Sequence, residues 1–304
     1  GECRMKRATA KRKAPSRREM YRRGVASAAV LSTLSMPAAP AGAGETRIVP
    51  DGRTETNVST QGDVSDVTTG TTSGENAFNS FKHFRVAKGH KANLRLPEGT
   101  QRLINLVHDS RAVVNGTVNS LIDGAIGGEV LFADPHGIVV GASGTLNVGS
   151  LGLATPSQSF MDKIVDPSGA IGADAVDRLI AGDFAVTPGA DVTIRGEVNA
   201  DDTVRVLGGN VTHTGDIRIA ETQSPDDTAA ELFRNAVNVE GMARGAEIAK
   251  EDGDVVIAAA GDVEVDGAIT ADGSGRDGGA VLVTAGESAT AGGDAEIEVG
   301  GDGA

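Results

Sequence analysis

Short aliphatic segments, most of them three to five residues long and set apart by Gly, Asn, Asp or Pro, recur through this 304-residue chain. They run from Phe84 to Val86, Ala92 to Leu96, Leu103 to Val107, Ala112 to Val118, Val130 to Phe132, Ile138 to Val140 and Thr145 to Val148. After a partly helical interruption the pattern resumes at 191–195, 203–207, 210–212 and 216–219, and again at 254–257, 262–265, 280–283 and 295–299. Alternating or apolar runs of this length, bounded by turn formers, read as β-strands. They are too short for a closed membrane barrel, whose strands need about 9 to 11 residues. Stacked rungs suit them: each coil of roughly 20 residues supplies short strands, and each strand pairs with its equivalent one coil away. The expected class is all-β, a right-handed parallel β-helix with short helical and hairpin decorations.

Composition agrees. Gly accounts for 42 residues, aromatics for 3%, and Trp is absent, which favours a narrow stacked core over layers built on bulky side chains. A single coil buries too little apolar surface to offset the entropy of ordering its backbone, so stability must be shared between neighbours and folding must spread from a nucleus.

The charge is divided between two regions. The first 43 residues hold 10 Lys+Arg against 2 Asp+Glu, which leaves 18 against 40 for the remainder. An acidic body repels nucleic acid and anionic lipid headgroups, so no nucleic-acid partner is expected. The basic region from Met5 leads into a weakly apolar run from Gly24 to Met36, then Ala41-Gly42-Ala43, an A-x-A cleavage pattern with the cut between Ala43 and Gly44. This is the order of an export signal, and the apolar run is too short to span a bilayer. Ser16-Arg17-Arg18-Glu19-Met20 also resembles a twin-arginine signal, so the choice of inner-membrane route stays open. The only cysteine, Cys3, precedes Met5 and would leave with the signal, giving a mature chain without a thiol.

These features divide the chain into a basic extension and signal at 1–43, a Thr/Ser/Asp/Gly-rich flexible linker at 44–75, a β-helix domain at 76–253, and the start of downstream β-helical repeats at 254–304. The pattern at 296–304 is unfinished, so the sequence is expected to be a fragment. Two helices are expected outside the β-helix as covers for an edge or flank. One begins at Ser224-Pro225-Asp226-Asp227 with an N-cap Ser, Pro at the first helical position and acids in the first turn. The other, near Ala173 to Ala181, sets Val176, Leu179 and Ile180 on one face.

The most informative stretch runs from Val130 to Leu151. It reads as a buried strand, a four-residue turn Asp134-Pro135-His136-Gly137, a second strand from Ile138, and a third containing Leu146-Asn147-Val148. It resembles the two-partner secretion domain of filamentous haemagglutinin-like exoproteins, in which Asn-Pro-Asn-Gly-Ile occupies the place of Asp134-Pro135-His136-Gly137-Ile138. Both asparagines of that motif are replaced here, and no clear Asn-Pro-Asn-Leu copy is found. Asn76-Ala-Phe78-Asn79-Ser-Phe81-Lys-His-Phe84 resembles the family's opening Asn-x-Phe-x-x-Phe element. Leu103 to Ser110 and Ser157 to Met161 are most similar to the leukotoxin-type filamentous adhesins.

The resemblance implies an exported protein with a defined partner. After the inner-membrane secretion machinery delivers it, the domain is bound by the periplasmic POTRA domains of a dedicated outer-membrane β-barrel transporter. The rest then threads outward and folds on the outside. It also implies that Asn76, Phe78, Phe81, Phe84, Asp134, Pro135, His136, Gly137, Ile138 and Asn147 serve transporter recognition or fold nucleation. From the residues alone, a core role is favoured for the phenylalanines and a structural one for the turn, whose shaped surface could still serve recognition. Host-cell contact would belong to downstream repeats, and the protein would end secreted or at the cell surface.

No catalytic, metal or cofactor site is expected. The five histidines are scattered without metal-ligand spacing. His108-Asp109-Ser110 holds the residue types of a catalytic triad, but adjacent strand positions point to opposite faces. Asp201-Asp202 and Asp226-Asp227 read as a turn and a helix start, and Gly273-Ser-Gly275-Arg-Asp277 is a lone weak likeness to a calcium-binding repeat. Two other readings remain: the passenger of an autotransporter adhesin, and a secreted carbohydrate-active β-helix enzyme with acids clustered in a cleft.

Overall fold

The computed structural model describes residues 44–219, 237–238, 254–272 and 279–300. The signal segment, Cys3, the helix expected from Ser224 and the Gly273–Asp277 stretch lie outside the described residues.

Within them the chain winds as a parallel β-helix of seven coils with three walls. The first wall stacks the strand segments 76–81, 102–107, 129–133, 150–154, 204–208, 255–259 and 281–285. The second stacks 85–86, 112–114, 138–140, 192–194, 211–213, 263–265 and 289–291. On the third lie 91–95, 117–122, 145–148, 197–200, 216–219, 268–272 and 296–300. Strand Asn76–Val86 turns the corner between the first two walls, so both belong to one sixteen-stranded sheet, and the third wall lies in a ten-stranded one.

Alternation explains the core. In the third wall, Ala92, Val118, Leu146, Val198, Ile217 and Ile269 lie in register over six coils and are all buried, while their sequence neighbours point outward. Coil length varies more than expected. Arg102 contacts partners 26 and 27 residues away, and Asn210 reaches a partner at only 19.

The corner between the second and third walls is built on glycine. A Cβ on Gly144 would sit 2.2 Å from Val114 O, one on Gly196 2.2 Å from Gly144 O, one on Gly215 2.1 Å from Gly196 O, and one on Gly267 2.1 Å from Gly215 O. Each coil therefore rests on the backbone of the coil before it. This corner also divides the expected single segment Ala112 to Val118 into two strands, Ala112–Val114 and Thr117–Ile122, parted at Asn115-Gly116.

Residues 44–75 do not form a linker. Strand Arg47–Pro50 pairs antiparallel with 81–85, Thr56–Gln61 and Val64–Thr69 form a hairpin, and Thr72–Ser73 pairs with 76–77. These strands close the N-terminal end of the stack, where coil one would otherwise present unpaired backbone. Their Thr/Ser-rich sequence hides the pattern because Thr56–Gln61 has one face in solvent and little apolar content on the other.

Coil four carries a helical insertion between its first and second walls. Helix α1 (Gln158–Ile164) starts at Ser157, whose side chain accepts from Phe160 N, and buries Phe160, Met161 and Ile164. Helix α2 (Ala173–Ala181) has the expected bounds and ends at Gly182 with a φ of 77°. Arg205, on the first wall, donates from Nη1 to Ile180 O at 2.6 Å, placing a cation at the C-terminal end of α2. The insertion thus covers the flank of the first wall.

Candidate functional site

The turn at Asp134–Ile138 joins the first wall of coil three to its second. Gly137 N donates to Asp134 O at 3.2 Å and closes it. Gly137 is required on two counts, since its φ is 97° and a Cβ there would lie 2.5 Å from Asp191 O. The Asp134 carboxylate is fully buried. Its Oδ2 accepts from Ala112 N of coil two at 2.7 Å, and its Oδ1 accepts from His136 N at 2.8 Å. Ile138 N donates in turn to Asp191 O of coil four at 3.0 Å. The turn is therefore bonded to the coils on both sides.

Burial pushes the Asp134 carboxyl up from 3.8 to about 6, with the His136 and Ala112 backbone donors and the His136 ring acting the other way. Only His136 of these five residues is exposed, and its carbonyl accepts from Arg111 Nε at 3.0 Å. Whatever meets this turn from outside therefore meets His136 and Arg111, while Asp134, Pro135, Gly137 and Ile138 shape the backbone beneath.

Phe78, Phe81 and Phe84 are fully buried. Phe81 and Phe84 meet edge to face with centroids 5.3 Å apart, and Phe84 lies 5.0 Å from Phe132 of coil three. In a chain with seven phenylalanines, three of them form one aromatic cluster across the first coils. Asn76 Oδ1 accepts from Arg102 Nη1 at 2.9 Å, and the Arg102 guanidinium also pairs with Glu129, linking coils one to three.

Asn147 belongs to a ladder on the outer face of the third wall. Asn199 Nδ2 donates to Asn147 Oδ1 (2.8 Å), Asn147 to Asn119 (2.8 Å), Asn119 to Asn93 (3.0 Å), and Asn93 to Asp66 Oδ1 (3.2 Å). Every amide donates toward the N-terminal end. At the far end Asn199 Oδ1 is buried without a donor. Sequence reasoning singles out Asn147 and misses the other rungs, although Gly-x-aliphatic-Asn recurs at 116–119, 144–147 and 196–199.

The polar groups singled out in the sequence for possible chemistry are separated or held in structural contacts among the described residues. His83 Nδ1 lies 2.8 Å from Ser110 Oγ, whereas His108 is buried against Gln158, so the sequence-adjacent triad types diverge. Asp202 accepts from Ser150 Oγ at 2.8 Å. Glu197 and Asp216, which line an open groove on the third wall, both pair with Arg218 at 2.6 Å. His213 lies in the core between Ile194 and Val265, its two ring nitrogens unpartnered, and burial pushes it down from 6.5 to about 4. Among the described residues no cluster of His, Cys, Asp or Glu could hold a metal ion, and no helix is long and apolar enough to cross a membrane.

Comparison with known proteins gives one family. The family model described as the TPS secretion domain matches residues 46–302, a span that includes the N-terminal capping strands and all seven coils. No curated protein matches the chain. A match over so much of a 304-residue sequence, on a β-helix of this construction, means that the chain belongs to the two-partner secretion domain family, the targeting domains of exoproteins exported through an outer-membrane partner.

Proposed function

We propose that this domain is the export-targeting module of a large filamentous adhesin or exotoxin, and that it has no enzymatic role. Its signal, cut between Ala43 and Gly44, takes it through the inner membrane. The POTRA domains of a dedicated outer-membrane β-barrel transporter then bind it in the periplasm, and its coils template the folding of the downstream repeats outside the cell. Contact with a host cell would reside in repeats beyond those described. The proposed boundaries are a signal to residue 43 and a secretion domain that includes the capping strands from Arg47.

The observation that carries this reading is the continuous parallel register from coil one to coil seven on an N-terminal end closed by antiparallel strands. Each new coil finds its hydrogen-bonding template only in the coil already folded. Stacking outside the membrane then biases threading outward with no nucleotide hydrolysis, because each added coil makes return costly.

The test is secretion of the chain from cells with and without the cognate transporter, with medium and periplasm assayed separately. Release that depends on the transporter is expected. Asn76→Ala and His136→Ala are then compared with wild type after circular dichroism has shown both variants folded. Retention of the wild type in the periplasm despite a functional transporter would overturn the reading.

A further inference from the structure

The strand that covers coil one is weakly built. Arg47–Pro50 has four residues, none of them fully buried, and its register with 81–85 slips between Val49 and Pro50. Upstream, Thr46 Oγ1 accepts from Ala87 N at 2.9 Å. A short edge strand with so little burial is marginal by itself.

Downstream of it lies a polar clamp. Asp51 N donates to Ser80 O at 3.1 Å, and Ser80 Oγ returns a bond to Asp51 Oδ2 at 2.7 Å. Arg53 Nε is 3.2 Å from Asp51 Oδ2. Arg53 Nη1 donates to Asp162 Oδ1 at 2.7 Å and to Val165 O at 3.2 Å, partners 109 and 112 residues away on α1 and its C-cap. Gln158 Nε2 donates to the same Asp162 oxygen at 3.0 Å and lies 2.8 Å from His108 Nδ1 of coil two. Gly169, with a φ of 90°, packs so closely that a Cβ on it would be 2.7 Å from Arg53 O. Coil one, coil two and the coil-four insertion thus converge on Asp51 and Arg53.

We propose that Asp51 and Arg53 form a latch by which the helical insertion of coil four locks the N-terminal strand over the open edge of coil one. Until residues through Val165 have folded, Arg53 lacks both of its distant partners and the Arg47–Pro50 strand is free to lift. Closure is therefore ordered: the walls of coils one to three stack first, α1 docks, and the cover shuts last. The edge strand 81–86 is consequently unpaired on one side during the early part of folding. The latch concerns the folding of this chain alone and does not depend on the export reading.

Hydrogen–deuterium exchange on the purified protein tests it. In Asp162→Ala, which leaves the strand itself untouched, the amides of 47–53 should exchange at least ten-fold faster while those of 102–107 and 129–133 keep their rates. The double variant Arg53→Ala with Asp162→Ala should exchange no faster than Arg53→Ala alone, since Asp162 acts on the strand through Arg53. Pulse labelling during refolding of the wild type should show 47–50 gaining protection together with 158–165 and after 102–107. Unchanged exchange at 47–53, equal acceleration across the walls, additive effects in the double variant, or protection of 47–50 ahead of α1 would each overturn the latch.

Discussion

Replacing His213 by Val should stabilise the protein, and the gain should grow as the pH falls. The imidazole lies in the second-wall core column between Ile194 and Val265, where its two nitrogens have no hydrogen-bond partner. Leaving such groups buried and unpaired costs about 1 to 3 kcal/mol, so the neutral ring already weakens the fold at pH 7. Protonation makes matters worse. Burial pushes its pKa from 6.5 down to about 4, with Asp216 acting in the opposite sense. The unfolded chain therefore takes up a proton between pH 6.5 and 4 that the folded chain refuses. The associated stability is fully present above pH 6.5 and is lost as the pH falls toward 4, to the extent of about 3 kcal/mol. Urea unfolding of wild type and His213→Val at pH 7, 6, 5 and 4 measures this as a difference, from which the titration of all shared groups cancels. The variant should lead by about 1 to 3 kcal/mol at pH 7 and by roughly 3 kcal/mol more at pH 4. A lead that stays the same at both ends of the series would refute the claim that His213 is held neutral inside the stack.

Two further substitutions probe the corners. Gly196→Ala would force a Cβ to within 2.2 Å of Gly144 O and 2.4 Å of Gly141 O, so coils three and four must separate, at a cost of more than about 3 kcal/mol. Gly293→Ala, with nothing within 4 Å of the added carbon, should fall within about 0.5 kcal/mol of wild type in the same urea titration. Asp134→Asn removes a buried charge but can supply an acceptor to only one of the two backbone N–H groups of Ala112 and His136. Because the folded pKa of about 6 lies above the usual 3.8, wild type is penalised as the pH rises through this range. The variant should therefore improve relative to wild type by about 2 kcal/mol between pH 4 and pH 7, whatever its stability at either end. Equal offsets at the two pH values would show that Asp134 does not titrate in this window.

The walls are legible in the sequence because each inward column is aliphatic and each outward neighbour is not, a period of two that survives in short segments such as Val192–Ile194. Helix α2 is legible from its apolar face. Helix α1 is not, since seven residues give less than two full turns of periodicity and its main sequence signal is the Ser157 cap. The capping strands at 47–73 are invisible for a different reason: they close an end, and an end needs backbone pairing more than apolar side chains. At the site, Pro135 and Gly137 announce a turn, but nothing local to Asp134 shows that its carboxylate reaches Ala112 N, 22 residues earlier. The Asn147 ladder and the glycine corner share one sequence signal, a repeat anchored on glycine rather than on apolar runs, and apolar periodicity passes over it.

The N-terminal end of the stack is closed by dedicated strands and lies beside the aromatic cluster of the first coils. At the N-terminal end the antiparallel strands at 47–50, 56–69 and 72–73 turn the chain back on itself, and the asparagine ladder ends on Asp66, which also accepts from Arg95 Nε at 2.8 Å. On the third wall Val64–Thr69 runs parallel to 91–94, and Thr56–Gln61 pairs antiparallel on its outer side. On the third wall the inward column runs in register as far as Ile297 of coil seven, opposite the fully buried Ile269 of coil six. The Phe81, Phe84 and Phe132 cluster places three packed aromatic rings in coils one to three. Aromatic bulk gathered in the first three coils favours nucleation there, with each later coil added onto the one before it.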